Sequence, residues 1–119
     1  DDYSNFLTYY RLMLDMVTQT LPNTQIYVQS ITPVRPDVRA THPGLYKERL
    51  CEINNELAAS ALVKICAFLY LWEVLADGNG DLKAEYAQKD GYHVKPEGYT
   101  VWVDYLRTYT VTTTTAAAA

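Results

Sequence analysis

The stretch that decides the fold is Ile65-Cys66-Ala67-Phe68-Leu69-Tyr70-Leu71, an apolar run without polar alternation. Such a run is typical of a strand that is buried on both faces of a parallel sheet. A shorter β-rich run, Gln25 to Ile31, precedes it along the chain. Between the two runs, the segment from Leu45 to Leu62 carries apolar residues at helical spacing. Strand, helix and strand in this order predict a parallel pair with a right-handed crossover.

The segments on either side of this unit predict two further long helices. Residues Ser4 to Thr20 have apolar positions at helical spacing, with Ser4 available as the N-cap. Pro96 at a first helical position opens the last helix. A polar loop from Pro33 to Gly44 follows the first strand, and a short helical turn is expected from Trp72 to Leu75.

Two parallel strands do not make a stable sheet alone, because parallel sheets need both faces covered and usually contain more strands. The pattern therefore predicts missing strands, which either precede residue 1 or are supplied by a partner chain. Residues 1–110 are expected to form part of one domain. Residues 111–119, a run dominated by Thr and Ala, are expected to be a disordered or artefactual tail.

Composition excludes several classes of protein. A chain of 119 residues with 49% hydrophobic residues fits one domain with a buried core. The net charge of −4 and only ten Lys and Arg argue against nucleic-acid binding. No apolar run is long enough for a membrane span. Cys51 and Cys66 lack metal-binding or redox spacing, so we expect buried free thiols, which favours a reducing, cytoplasmic compartment.

The motif with chemical content is Asp90-Gly91-Tyr92-His93, which is followed by the opening of the last helix. In a loop that contains Gly, a spacing of three residues lets the carboxylate reach the imidazole, and this arrangement supplies two thirds of a charge-relay triad. We expect Tyr99 and Trp102 to be helix-core residues that support this loop. The simpler alternative is that Asp90 caps a turn and His93 is a half-buried loop residue.

A nucleophile is harder to find. The chain contains three serines, Ser4, Ser30 and Ser60. Ser30 is the best placed, because it follows a strand and ligands of open α/β sheets gather at the carboxyl ends of strands. It lacks the glycine-flanked elbow that exposes a nucleophilic serine. We therefore interpret Ser30 as a strand-end residue and expect the nucleophile to come from elsewhere.

Other polar groups have ordinary explanations. The segment Asp77 to Asp81 begins like a calcium loop, but no Gly follows Asp81 and the late Glu of such a loop is missing. A turn is the better interpretation. Another polar set leaves the carboxyl end of the first strand and either lines a substrate entrance or forms a solvated loop: Arg35, Asp37, Arg39 and His42.

In the order of its motifs, the chain resembles the C-terminal portion of the SGNH-type (GDSL-like) lipase and acylhydrolase family. The resemblance extends over nearly the whole chain up to about Tyr109. It is carried by five segments: Ile26–Val34, Asn54–Leu57, Asp77–Leu82, Asp90–His93 and Gly98–Trp102. The motif D-G-Y-H joined to P-E-G-Y-x-x-W is much more specific than D-x-x-H alone.

The resemblance implies a three-layer α/β/α sandwich with a flavodoxin-like parallel sheet, of which residues 1–110 are the C-terminal portion. It implies that Asp90 and His93 are the acid and base of a Ser-His-Asp triad in a serine esterase that needs no metal or organic cofactor. The family's serine lies in an N-terminal GDS motif that this chain lacks, so the chain alone is expected to be inactive. Lys95 replaces the usual Asn, Ser or Thr before the last helix, so that helix lacks a side-chain cap.

The implied substrate is a small acyl ester, either an acetylated carbohydrate or a lipid-like ester. Two other classes of function stay open at this point. One is a non-catalytic α/β interaction module derived from such a hydrolase. The other is a response-regulator-like or nucleotide-binding domain, which is weakened because no Gly-rich phosphate loop follows either predicted strand.

Overall fold

The computed structural model describes residues 3–110, so the tail predicted for residues 111–119 lies outside the described residues. Four α-helices and two strands occur in this part of the chain, together with two short 3₁₀ helices, Pro36–Ala40 and Ala84–Tyr86. In chain order the main elements are α1 (Ser4–Thr20), β1 (Tyr27–Gln29), α2 (Lys47–Val63), β2 (Ala67–Leu69), α3 (Trp72–Leu75) and α4 (Pro96–Tyr109).

The two strands pair in parallel, as the strand-helix-strand order predicts. Tyr27 lies opposite Ala67, and Gln29 lies opposite Leu69. Because the strands are parallel, the chain must cross from the end of β1 to the start of β2, and α2 makes this crossover. The structure therefore belongs to the α/β class, and the carboxyl ends of β1 and β2 lie at the same edge of the sheet.

Side chains of the strands alternate between two apolar clusters. Val28 packs with residues of α1 and α2, among them Leu14 and Leu57. Leu69 instead packs with Tyr105 of α4, in a cluster that extends to α3. Burying one such aliphatic side chain contributes about 1.5–3 kcal/mol relative to leaving it exposed. The period of two in the strands thus determines which helices cover which side chains.

A third cluster lies beyond the carboxyl ends of the strands. It joins Val34 and Val38, from the segment after β1, to Leu50 of α2 and Trp72 of α3. This cluster therefore fixes the segment after β1 against α2 and α3. No helix within residues 3–110 combines the length and apolar character that a bilayer crossing requires.

The apolar run that predicts β2 is not a strand along its whole length. Ile65 is 93% exposed and has a φ of 57°, and Phe68 is only half-buried. The Cys66 N–H donates to Ala61 O at 2.8 Å, and the Ile65 N–H donates to Leu62 O at 3.2 Å. These two bonds form a Schellman ending, so the first residues of the run terminate α2 instead of entering the sheet.

Two smaller predictions also need correction. Helix α1 begins at Ser4 itself, with Tyr3 at the N-cap position and no side-chain capping bond, so Ser4 is not the N-cap. Cys51 and Cys66 are free thiols, but both are half-buried, because one lies on a partly covered face of α2 and the other precedes β2. The prediction that α4 begins at Pro96 without a side-chain cap is confirmed.

The left-handed conformation of Ile65 generates a stability prediction. A β-branched residue in this region costs about 1–2 kcal/mol relative to the right-handed region, a cost that glycine avoids. We therefore expect Ile65→Gly to raise the free energy of unfolding by about 1 kcal/mol in urea titrations. Val63→Gly is the matched control, because Val63 is exposed but helical, and it should lower stability by a similar amount. Equal losses in both variants would contradict the prediction.

Candidate active site

The Asp90–His93 loop is closed at its base by a short antiparallel bridge between Ala87 and Val94. The Gln88 N–H donates to His93 O at 2.8 Å, and the Gly91 N–H donates to Gln88 O at 3.0 Å. These bonds bring the two ends of the loop together before α4 begins. The loop is consequently a tight turn with a defined backbone, in which the residues of the D-x-x-H motif have fixed relative positions.

Asp90 and His93 are in direct contact, as their spacing predicts. Asp90 Oδ2 is hydrogen-bonded to His93 Nδ1. Asp90 Oδ1 accepts the backbone N–H groups of Tyr92 at 3.1 Å and His93 at 2.9 Å. The carboxylate thus caps the turn with one oxygen and holds the imidazole with the other. The two interpretations of Asp90, as a turn cap and as a partner of the histidine, both apply.

This contact fixes the charge on Asp90. The hydrogen bond from the His93 side chain, followed by that from the His93 backbone, lowers the pKa of Asp90 from 3.8 to about 2. Asp90 is therefore ionised at neutral pH and requires a donor at Nδ1. In a neutral imidazole with its proton on Nδ1, the other nitrogen, Nε2, is an acceptor. The side-chain contact of His93 with Asp90 uses Nδ1 and leaves Nε2 out of this hydrogen bond.

The pair lies at an open surface. The His93 side chain is 65% exposed and the Asp90 side chain 36% exposed. An open cleft of about 660 Å³ adjoins the pair and is lined by Gln88, Lys89, Asp90, His93, Val94 and Tyr99. The imidazole of His93 thus forms part of the wall of a cleft that is open to solvent.

Glycines allow the loop to pack closely on its neighbours. Gly91 has a φ of 85°, and a Cβ atom there would lie 2.7 Å from Val38 Cγ2. A Cβ on Gly98, in the first turn of α4, would lie 2.4 Å from Val94 Cγ1. Any side chain at these positions would push the loop away from the segment after β1 or from α4. The two glycines therefore help to set the position of His93.

The aromatic residues of α4 take different roles from each other. Trp102 packs against the cluster that contains Tyr105, and its Nε1 donates to Gln29 Oε1 at the end of β1, at 2.9 Å. Tyr99 stacks on Trp102 with a centroid distance of 5.6 Å but is half exposed and lines the cleft. Trp102 thus packs against the core as predicted, whereas the expectation that Tyr99 is a core residue is wrong, because its ring is half exposed and lines the cleft.

The serines with described contacts are engaged away from His93. Ser30 is buried, and its Oγ accepts the Trp72 N–H at 3.0 Å, which agrees with a role at the end of β1. Ser60 Oγ accepts from Arg11 Nε at 3.0 Å and donates to Glu56 O at 2.8 Å. Neither hydroxyl is therefore placed to act with the imidazole.

Only some residues of the polar loop after β1 contact the D-x-x-H loop. Arg35 contacts the D-x-x-H loop and pairs with Asp37 at 2.7 Å. Arg39 instead lies over the Tyr46 ring, with its guanidinium carbon 4.1 Å from the ring centroid. The ring of His42 packs edge-on against Tyr92 at 5.0 Å. The contact of Arg35 with this loop was not predicted, because it joins two loops that are far apart in sequence.

The segment from Asp77 to Asp81 forms a turn. Asp77 Oδ1 accepts the backbone N–H groups of Asn79 at 2.8 Å and Asp81 at 3.1 Å. Lys47 Nζ donates to Asn79 O at 2.9 Å, which places a cation beside the turn. Within residues 3–110, no three His, Cys, Asp or Glu side chains form a group that could hold a metal ion.

Comparisons with known proteins find similarity at the level of solved structures. No family model and no curated protein matches the sequence. Among solved structures, the chain is similar to a Streptococcus pneumoniae protein provisionally assigned as a platelet activating factor, with 25% identity and a TM-score of 0.77. It is also similar to a GDSL-like lipase from Bacteroides thetaiotaomicron, with 17% identity and a TM-score of 0.72.

The matches cover most of this chain but only part of its neighbours. They span 87% and 90% of this chain, and 49% and 51% of the streptococcal and Bacteroides chains, respectively. The chain thus spans about half the length of either neighbour. The chain therefore shares the fold of the matched half of these two structures, one of which is a GDSL-like lipase, and this agrees with the predicted resemblance.

Gly91 supplies a first test of the site geometry. Alanine at this position would meet Val38 and would need an unfavourable left-handed backbone. We expect Gly91→Ala to lower the free energy of unfolding by about 1–3 kcal/mol and to displace the His93 Nδ1 proton resonance in NMR spectra. In the control Gly78→Ala, the new Cβ has no atom within 4 Å, so both quantities should stay close to wild type. Equal effects of the two substitutions would contradict this packing.

The low pKa of Asp90 predicts a pH dependence. A carboxyl whose folded pKa is depressed adds stability above its unfolded pKa and loses this contribution as pH falls through its folded pKa. For Asp90 this window lies between 3.8 and about 2. The stability difference between wild type and Asp90→Asn should shrink across this window in urea titrations. Other acids with lowered pKa values, such as Asp37 and Asp77, titrate in both proteins and cancel. A difference that is constant with pH would count against the contact.

Proposed function

We propose that this chain supplies the acid and the base of a serine ester hydrolase, with Asp90 and His93 as the catalytic residues. The observation that carries the proposal is the contact of the ionised Asp90 carboxylate with Nδ1 of an exposed imidazole beside an open cleft. The similarity to a GDSL-like lipase supports the same class of reaction.

In this mechanism, His93 Nε2 removes the proton of a serine hydroxyl as the serine oxygen attacks the ester carbonyl. The imidazolium returns the proton to the leaving alkoxide, and an acyl-enzyme remains. Water then repeats the two steps and releases the acid. General acid–base transfer of this kind contributes roughly 10²–10⁴-fold to a rate. Asp90 keeps the Nδ1 proton in place and stabilises the imidazolium. No metal or organic cofactor takes part in this scheme.

The serine would come from the missing N-terminal half of an SGNH-like domain or from a partner chain that completes the sheet. Within residues 3–110, β1 has only β2 as a neighbouring strand. The two similar structures are about twice as long as the matched segment. We propose that residues 1–110 are the C-terminal portion of such a domain, and that the complete domain is a three-layer α/β/α sandwich with a flavodoxin-like parallel sheet.

The outer surface of α1 supports this arrangement. Its exposed apolar side chains recur at positions that fall on one face of the helix. These side chains are Phe6, Tyr9, Leu12, Met13 and Met16. A missing half of the domain would cover such a face. By resemblance to the GDSL-like family, the substrate would be a small acyl ester, either an acetylated carbohydrate or a lipid-like ester.

The proposal predicts how activity is divided between the chain and its missing part. The purified chain should not hydrolyse p-nitrophenyl acetate above background. When it is expressed together with the segment encoded upstream of Asp1, turnover should appear, and His93→Ala should then lower kcat by about 10³-fold or more. The control Gly78→Ala adds a Cβ with no atom within 4 Å and should keep most of the activity.

Two outcomes would count against the proposal. Turnover by the isolated chain that disappears in His93→Ala would show that the nucleophile is within the chain. An inactive longer protein with a residue other than serine at the nucleophile position would favour the alternative, a non-catalytic interaction module derived from such a hydrolase.

A further inference from the structure

The loop after β1 contacts the backbone on both sides of Asp90. The main-chain N–H of Arg35 donates to Gly91 O at 2.8 Å. The guanidinium Nη2 of the same residue donates to Lys89 O at 3.0 Å. These carbonyl groups belong to the residues immediately before and after Asp90. Arg35 therefore holds the peptide groups on both sides of Asp90, and these groups determine the position of the Asp90 Cα atom.

The guanidinium that makes this contact is itself fixed. Arg35 Nε donates to Asp37 Oδ1 at 2.7 Å, and Nη2 donates to Asp37 Oδ2 at 3.0 Å. This two-point contact lowers the pKa of Asp37. Because the guanidinium is planar, a bidentate carboxylate sets its plane and thus the direction of its remaining N–H groups. Pro36 lies between the two residues and opens a 3₁₀ helix, which limits their backbone.

The loop after β1 and the D-x-x-H loop are also closely packed at Gly91, where there is no space for a side chain. A Cβ atom on Gly91 would lie 3.1 Å from Arg35 Cβ and 2.7 Å from Val38 Cγ2. Val38 is buried in the cluster with Trp72 and Leu50, so it cannot easily yield. The D-x-x-H loop consequently packs against the buried side chain of Val38 and accepts two hydrogen bonds from Arg35.

We propose that Arg35 is a positioning residue for the Asp90–His93 pair and that Asp37 aligns its guanidinium. This inference rests on the proposed function, in which the direction of the imidazole matters for proton transfer. An ion pair as exposed as Arg35–Asp37 adds little to stability. The pair therefore acts on the geometry of the loop, and its loss should leave the chain folded.

The choice of variant has to separate geometry from charge. Arg35 carries a positive charge in the neighbourhood of Asp90, whereas His93 is the group that is hydrogen-bonded to the carboxylate. Arg35→Lys keeps the charge but loses the planar, two-point guanidinium. Arg39→Lys is the matched control, because Arg39 lies in the same segment but contacts the Tyr46 ring. Asp37→Asn removes the alignment and leaves Arg35 itself intact.

NMR spectroscopy of the folded chain can test the proposal without any turnover. The measured quantities are the pKa of Asp90, from the titration of its carboxyl carbon, and the resonance of the His93 Nδ1 proton. In Arg35→Lys we expect the pKa of Asp90 to rise by about one pH unit and the Nδ1 proton to lose its low-field shift. Asp37→Asn should change both in the same direction by less, and Arg39→Lys should match wild type.

A folded Arg35→Lys chain, judged by circular dichroism, with both signals at wild-type values would overturn the proposal. If Arg35→Lys does not fold, Asp37→Asn decides, since its exposed carboxylate is not needed for folding: unchanged signals overturn the proposal, and shifted signals support it. The proposed function has a separate test. A longer protein that lacks esterase activity while these signals respond as expected would reject the esterase alone.

Discussion

The parallel pairing of β1 with β2 extends one residue past the strands, where the Ser30 N–H donates to Leu69 O at 2.9 Å. The Ser30 hydroxyl then accepts the Trp72 N–H at 3.0 Å, which ties the end of one strand to the helix that follows the other. Because both strands point the same way, the segments that leave them meet beyond one edge of the sheet. The contact of Arg35 with the D-x-x-H loop depends on this meeting, and so does the packing of Val38 under Gly91.

The two oxygens of Asp90 link backbone geometry to side-chain chemistry. One oxygen closes the turn and the other holds the imidazole, so the turn cannot change shape without moving the ring. In a complete triad the acid is buried, where the lower dielectric strengthens its interaction with the histidine. Here both side chains are partly exposed to water. The pair is thus in contact but is not buried within the described residues.

Much of this structure could be predicted from local sequence signals. The period of apolar residues in α1, Pro96 at the start of α4 and the order of strand, helix and strand each depend on neighbouring residues, and each is confirmed. The Asp90–His93 contact belongs to the same group, because three residues of one loop determine it. The prediction that these two residues are catalytic is a separate matter and depends on the experiments above.

The features that could not be predicted from the sequence depend on contacts between residues that are far apart in the chain or on how the helices pack. The end of α2 lies inside an apolar run and has Ile65 where glycine usually marks the end of a helix, so the boundary is hidden. Tyr99 and Trp102 are both apolar positions at helical spacing in α4, so the sequence does not distinguish them. The packing of α4 shows that Trp102 is hydrogen-bonded to Gln29, whereas Tyr99 lines the cleft. The role of Arg35 arises from hydrogen bonds between distant loops, and no local pattern records them.

The outer margin of β1 has a practical consequence for anyone who purifies this chain. Backbone groups at a sheet margin without a neighbouring strand are a template for any extended peptide, including another copy of the same chain. The exposed apolar side chains of α1 form a second surface through which copies of the chain can associate. We therefore expect the chain to form larger species as its concentration rises.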